Sequence, residues 1–285
     1  MPWWKRYDAP NGNVYTDELN WKTDLNATKY FNELLSISPT LVDVPDGDNN
    51  GEVGQLQVFE MSSSLLRDES KSSSNLVIPP GSAALWESVC EYAIGRNAER
   101  LAVVGSPGMG KSRSSPYLML RYVETRRGGG LSPIIIYEHR KEGKVWMFVP
   151  EDPDSTSCAY SAFRVKIDPF LNTDVAALEN EKNLYIVDGD QVGNKGMPNL
   201  TAAFTIYVVS PDPEQVSEFN KHAARIRYFP AWTEADILAA AKFMTSSPLT
   251  DEEYSLLMKS LGPNPRALFP QDSSAVFPAA ITLLE

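Results

Sequence analysis

The stretch Gly-Ser-Pro-Gly-Met-Gly-Lys-Ser at 105–112 constrains the fold of this chain more than any other. It fits the pattern G-x-x-x-x-G-K-[ST], with Gly105, Gly110, Lys111 and Ser112 at the fixed positions. The spacing has a physical reason. Glycines let the main chain wrap closely round a phosphate chain, so that several N–H groups converge on one anion. Lys111 is placed to reach β- and γ-phosphate oxygens, and the Ser112 hydroxyl to ligate Mg²⁺. Ser106, Pro107, Gly108 and Met109 complete the loop and Arg113 follows it, so all are candidate phosphate-binding positions. Such a loop needs a strand before it and a helix after it. Leu-Ala-Val-Val at 101–104 predicts a buried strand, and 113–123 predicts a helix whose N-terminus faces the phosphates.

The second landmark is Asn-Leu-Tyr-Ile-Val-Asp-Gly at 183–189, an apolar strand ending in Asp188. Downstream of a phosphate loop, a carboxylate at that place holds Mg²⁺, often through water. Ser112 and Asp188 are therefore the candidate metal ligands. Asp190 is a candidate for polarising the attacking water, with a plain turn residue as the alternative. No glutamate directly follows Asp188, where many hydrolysing members of the additional-strand class keep their base. The run at 203–210 predicts another buried strand, ending on Ser210 before Pro211. Ser210 is a candidate sensor of the γ-phosphate or its attacking water, or else a simple cap.

The rest of the chain supplies a scaffold. At 285 residues it has room for one large domain or two small ones. Residues 1–80 form an N-terminal segment of uncertain fold, with Trp3, Trp4, Tyr7, Tyr15 and Trp21 among polar turn clusters at 46–51, 62–64 and 71–75. Within it, 26–35 predicts a short helix and 55–60 a strand. Asp46, Asp48, Asn50 and Glu52 look superficially like a calcium loop, but the EF-hand spacing fails and a solvated turn is expected. Residues 83–94 carry apolar side chains three and four apart, as an amphipathic helix does. The runs 133–138 and 144–149 predict a hairpin across 140–143, followed by strands at 160–165 and 224–229. Thr233 N-caps a predicted helix at 233–244 with Asp236 in the capping-box position, and a second helix at 250–261 ends at Gly262. Pro116 falls inside the phosphate-loop helix, where it removes a donor and is expected to kink it.

Composition excludes several function classes. A formal charge of −11 opposes a general nucleic-acid surface, since phosphate-rich partners are repelled. Cys90, Cys158, His139 and His222 make no zinc-type spacing, and the cysteines read as buried free thiols of a reducing compartment. No apolar run approaches the ~20 residues that cross a membrane, and no signal core follows the N-terminus. An intracellular location, cytoplasmic or nuclear, is expected.

Five blocks recur in a telling order: 105–113, Leu-Tyr-Ile-Val-Asp-Gly at 184–189, Val-Val-Ser-Pro at 208–211, Tyr-Phe-Pro-Ala-Trp-Thr-Glu-Ala-Asp at 228–236, and Gly-Pro-Asn-Pro-Arg at 262–266. This order resembles the NTPase domain shared by Crinkler effectors of oomycetes and fungi and retrotransposon hot spot proteins of trypanosomes, over roughly 80–270. The resemblance implies a three-layer α/β P-loop NTPase of AAA/STAND-like type over 81–270, with a mainly parallel sheet, C-terminal helices and a tail at 271–285. It implies binding of ATP or GTP with Mg²⁺ through Lys111, Ser112 and Asp188, and places Arg266 as a second phosphate sensor or, alternatively, a surface cap. Hydrolysis would drive a conformational change or regulate an interaction with a protein partner. A homo-oligomeric ring, with Arg225 or Arg227 acting in trans, is left open. Two rival readings stand beside it: a non-hydrolysing nucleotide-binding module, and a small-molecule kinase whose lid cations would be Arg126, Arg127 or Arg140. The family analogy also points to a secreted effector acting in a host cell. Neither its Leu-Phe-Leu-Ala-Lys-type header nor a following effector domain is read here, so a solitary or truncated relative is expected.

Overall fold

The computed structural model describes residues 2–8, 14–16, 19–45, 53–65, 74–95, 100–156, 159–166, 175–189, 198, 201–211, 219, 221, 225–245 and 249–269. The expectations placed on the turn at 46–52, on 71–73, Cys158, Asp190, His222 and the tail at 271–285 lie outside these residues.

The chain opens with β1 (Arg6–Asp8), β2 (Val14–Thr16), β3 (Lys22–Thr23) and α1 (Leu25–Ser36). Strands β4 (Thr40–Pro45), β5 (Val53–Phe59) and β6 (Leu76–Ile78) follow, then α2 (Pro80–Gly95). Next come β7 (Arg100–Val104), α3 (Lys111–Gly128), β8 (Ile135–His139), β9 (Lys144–Pro150) and β10 (Tyr160–Lys166). Strands β11 (Leu184–Asp188), β12 (Phe204–Val209) and β13 (Arg225–Tyr228) precede helices α4 (Glu234–Met244), α5 (Asp251–Leu261) and α6 (Pro265–Leu268).

Eight of these strands form one sheet in the order β13-β7-β12-β11-β8-β9-β10-β3. The first five run parallel, and β9, β10 and β3 continue antiparallel. The fold is thus mixed α/β around a large, mostly parallel sheet. Central parallel strands are buried on both faces, which is why β11 and β12 read as nearly unbroken apolar runs. Alternation divides their side chains between two cores. Leu101, Val103, Leu184, Ile186, Ile206 and Val208 pack on one face with Tyr117, Leu118 and Tyr122 of α3, Trp86 of α2 and Phe31 of α1. Ala102, Val104, Tyr185, Val187, Tyr207 and Val209 face the other way, toward Trp4, Trp21 and Leu178.

Local signals explain the edges. The predicted hairpin forms between β8 and β9, pairing Ile135 with Phe148 through His139 with Lys144, and turns at Gly143 with φ 59°. Asp24 N-caps α1, accepting from the Ala27 N–H at 3.0 Å, and also accepts from Trp146 Nε1 at 3.2 Å. This anchors the helix directly after β3, which pairs with β10 through Thr23 and Phe163. A separate antiparallel sheet runs β4-β5-β6. Pro116 lies in the second turn of α3, which continues to Gly128. Both Thr233 and Thr250 make full capping boxes, with Asp236 and Glu253. Cys90 on α2 is a buried free thiol whose pKa burial pushes up to about 12. Among the described residues no helix is long and apolar enough to cross a membrane.

Because β7, β8, β11 and β12 are parallel, the loops after them emerge along one edge of the sheet. In open α/β sheets ligands bind at this carboxyl edge. Strand β12 separates β7 from β11, so the glycine-rich loop and Asp188 belong to strands that are not neighbours.

Candidate functional site

The loop 105–110 joins β7 to α3. Gly110 is the N-cap of α3 with φ 93°, and no side chain caps the helix. The N–H groups of its first turn are therefore left for a ligand or solvent. Gly108 has φ 88°, and a Cβ there would fall 2.4 Å from Asn264 Oδ1. At Gly105 an added Cβ would lie 2.7 Å from Phe229 Cβ. Close approach of Phe229 thus requires glycine at 105, and the left-handed backbone favours it at 108, in addition to any need of a ligand. That segment also bonds to the loop: Trp232 Nε1 donates to the Met109 carbonyl at 3.1 Å, and Asn264 Nδ2 to that of Pro107 at 3.3 Å.

Lys111 is buried, and its ammonium group donates to the carbonyl oxygens of Gly105 and, at 3.0 Å, Ser106. Ser112 Oγ donates to Asp188 Oδ1 at 2.8 Å, and the Tyr137 hydroxyl donates to Asp188 Oδ2 at 2.6 Å. Asp188 is only 2% exposed. Burial raises its pKa above the usual carboxylate range, while the Tyr137 bond, the proximity of His139, the Ser112 bond and Lys111 pull it back. Burial and the neighbouring Asp188 drive the Tyr137 phenol well above its ordinary value, so it stays a neutral donor. Arg113 Nη2 donates to the Asn75 carbonyl at 2.9 Å, tying the start of α3 to the approach to β6.

A cleft of about 790 Å³ opens at this edge. Of the residues singled out from sequence, Pro107, Gly108, Met109, Gly110, Lys111, Ser112, Arg113, Asp188, Ser210 and Arg266 line it. Gly105 and Ser106 form the base of the loop beneath Lys111. Asp190 lies outside the described residues. Arg266 is exposed, one residue into α6, and its N–H donates to Asn264 Oδ1 at 3.1 Å. The three arginines considered as lid cations do not line the cleft. Arg126 and Arg127 lie over the rings of Tyr122 and Tyr160, and Arg140 is buried against Glu138.

Sequence reasoning missed Tyr137, His139, Glu142, Trp232 and Asn264. The first three come from β8 and its turn, and only the pairing of β8 with β11 brings them to Asp188. Trp232 and Asn264 stood in view, inside the blocks at 228–236 and 262–266, but their contact with the loop is tertiary.

Ser112 and Asp188 offer one hydroxyl and one carboxylate oxygen. Mg²⁺ is usually held by one or two protein oxygens together with phosphate and water, so this donor set fits the ion. Compared with known proteins, the chain matches no protein-family model and no curated protein.

Proposed function

We propose that this cleft binds ATP or GTP with Mg²⁺ and hydrolyses it, and that the domain is a three-layer P-loop NTPase of the additional-strand type. The observation that carries the reading is the Ser112–Asp188 hydrogen bond at 2.8 Å. It joins the end of a glycine-rich loop to a buried carboxylate 76 positions away, across an intervening strand. A chance glycine-rich turn has no reason to be paired with a carboxylate in this way. Mg²⁺, when bound, neutralises charge on the β- and γ-phosphates. The chain's own contributions are positional and electrostatic. Main-chain N–H groups of the loop and the first turn of α3 cradle phosphate oxygens. Lys111 would exchange its loop carbonyls for phosphate oxygens, and Ser112 and Asp188 would hold the cation. Arg266, which lines the cleft, is the candidate sensor of nucleotide state.

The resemblance to Crinkler and retrotransposon hot spot NTPase domains supports the further reading that nucleotide state moves the C-terminal helices and so regulates a protein interaction. Trp232 and Asn264 are the contacts through which loop and helices would communicate. The rival kinase reading is disfavoured by the placement of Arg126, Arg127 and Arg140 away from the cleft.

The test pairs wild type with Lys111→Ala, measuring affinity for Mg²⁺-ATP and Mg²⁺-GTP and the release of phosphate. Binding and release in wild type, both lost in the variant, are expected. Binding that depends on Lys111 without release would favour the non-hydrolysing module. Equal behaviour of the two proteins would refute the proposal.

A further inference from the structure

Hydrolysis is helped by a group that orients the attacking water and takes its proton, and the strand bearing Asp188 offers no following glutamate. Ser210 lines the cleft, but a neutral hydroxyl accepts a proton poorly. The neighbouring strand supplies another group. In the parallel pairing of β11 with β8, Asp188 stands opposite His139. Register partners project from the same face of a sheet, so His139 emerges beside Asp188 at the carboxyl edge and lines the same cleft. Its Nδ1 is buried and makes no hydrogen bond among the described residues. Buried polar atoms without partners are uncommon and call for an explanation. The acid facing it is Glu142, from the turn Arg140–Glu142, whose Oε1 lies 3.9 Å from His139 Nδ1. Lys144 Nζ holds the other oxygen, Oε2, at 2.6 Å. The Glu142 side chain is 33% exposed and also lines the cleft.

We infer that His139, oriented by Glu142, is the proton acceptor for the water that attacks the γ-phosphate. This rests on the nucleotide reading above. The water oxygen forms a bond to the γ-phosphorus as the bond to the β–γ bridging oxygen breaks, and the nucleoside diphosphate leaves with that electron pair. The water proton passes to the Nε2 lone pair of His139. Glu142 accepts a hydrogen bond from Nδ1–H and stabilises the imidazolium, which returns its proton to solvent once phosphate has left. His139 is the catalytic residue of this step, and Glu142 is a positioning residue.

The experiment uses the full chain and compares wild type with His139→Ala, His139→Gln and Glu142→Gln. Affinity for Mg²⁺-ATP and Mg²⁺-GTP is measured separately from single-turnover phosphate release, with thermal unfolding as a check on folding. General acid–base groups contribute about 10²- to 10⁴-fold. Both His139 variants are therefore expected to bind nucleotide within about threefold of wild type and to release phosphate at least about 100-fold more slowly. Added imidazole should restore part of the rate in His139→Ala and none in His139→Gln, whose side chain fills the space. Glu142→Gln should slow release by about tenfold with affinity kept. If a His139 variant turns over like wild type, or His139→Ala binds normally but imidazole restores nothing, the inference is overturned while the nucleotide site stands. Wild type that binds without releasing phosphate overturns it equally. Wild type that binds neither nucleotide overturns the site and the inference together.

Discussion

Two buried carboxylates stand one strand apart at the carboxyl edge of the sheet, and their surroundings differ in kind. Glu138 pairs in register with Val187, the residue before Asp188, so the two acids project to opposite faces. Glu138 is fully buried, accepts from Arg140 Nε at 2.9 Å and from the Tyr185 hydroxyl, and the Arg140 guanidinium lies over the Tyr207 ring at 5.7 Å. Its charge is matched within the protein. Asp188, equally buried, is held among the described residues by the hydroxyls of Ser112 and Tyr137. Hydroxyl donors lower the cost of burying the carboxylate without cancelling its charge, and either can rotate away. A carboxylate with its own cation is a structural tie; one held by hydroxyls on a cleft is where the proposed Mg²⁺ would bind.

The largest effect is expected on the tied face. Glu138→Ala leaves the Arg140 guanidinium buried without its acid, and breaking a buried pair in this way costs about 3–5 kcal/mol. Against a typical total of about 5–15 kcal/mol, urea denaturation should show most of the fold's margin gone. Replacing both partners with methionine should recover much of that loss, since an apolar pair of similar volume removes both buried charges. If the single variant proves as stable as wild type, Glu138 and Asp188 are not the contrasting pair described.

Asp188→Asn should do the reverse. Affinity for Mg²⁺-nucleotide is expected to fall on the order of 100-fold, because bonds to charged groups contribute about 1.5–3 kcal/mol each. Stability should hold or rise, since the amide can accept from one hydroxyl and donate to the other without the desolvated charge. The sign with pH follows from the raised pKa of Asp188. The native state binds this proton more tightly than the unfolded chain, so the stability it contributes is complete below the unfolded value, about 3.9. It is lost as pH rises through the higher native value. Denaturation of wild type and Asp188→Asn should therefore diverge from about pH 4 upward, with wild type losing ground. Curves that stay parallel would mean the carboxylate is not penalised by burial.

How much of this was legible in sequence depended on whether a feature is local. Strands β7, β11 and β12 announced themselves because burial on both faces removes polar alternation. Asp188 was visible as the polar end of such a run, and the loop by its glycines and lysine. Thr233 could be read as a cap because a capping box spans only four residues; Thr250, which makes the same box with Glu253, was read only as the start of a helix. Strand order cannot be read this way. That β8 lies beside β11 is decided by tertiary packing, so the reading stopped short of Tyr137 and His139 as neighbours of Asp188. The two residues of β3 are too few to show a period, and their pairing with β10 is fixed by the Asp24 cap and α1. Glu138 and Arg140, read as a strand end and a turn, gave no sign that they would meet on the face opposite the cleft.

The clamp on the loop should show a smaller effect, confined to the open face. Trp232→Phe keeps the ring and removes the donor to Met109, and Asn264→Ala removes the donor to Pro107. A neutral hydrogen bond contributes about 1 kcal/mol, so each variant should weaken nucleotide binding by about fivefold. Titrations in which neither variant changes affinity would separate the C-terminal helices from the site.

The smallest contrast compares two helix caps with the same chemistry and different neighbours. Thr233 and Thr250 each accept from the N–H of the residue three positions on, at 3.0 Å and 3.3 Å. Replacing either with alanine should cost about 1 kcal/mol, which shifts the midpoint of thermal unfolding by about 2–4 °C. Their functional consequences should differ. Thr233 directly follows Trp232, so loosening its cap lets the indole drift from the Met109 carbonyl, and affinity should fall about twofold, a fraction of the ~1 kcal/mol bond at stake. Thr250 begins a helix whose cap is exposed, and its loss should leave nucleotide affinity unchanged. Equal losses of affinity in the two variants would show that the site senses overall stability alone. A loss confined to Thr233→Ala would trace the coupling to the short segment between β13 and α4, which carries Trp232.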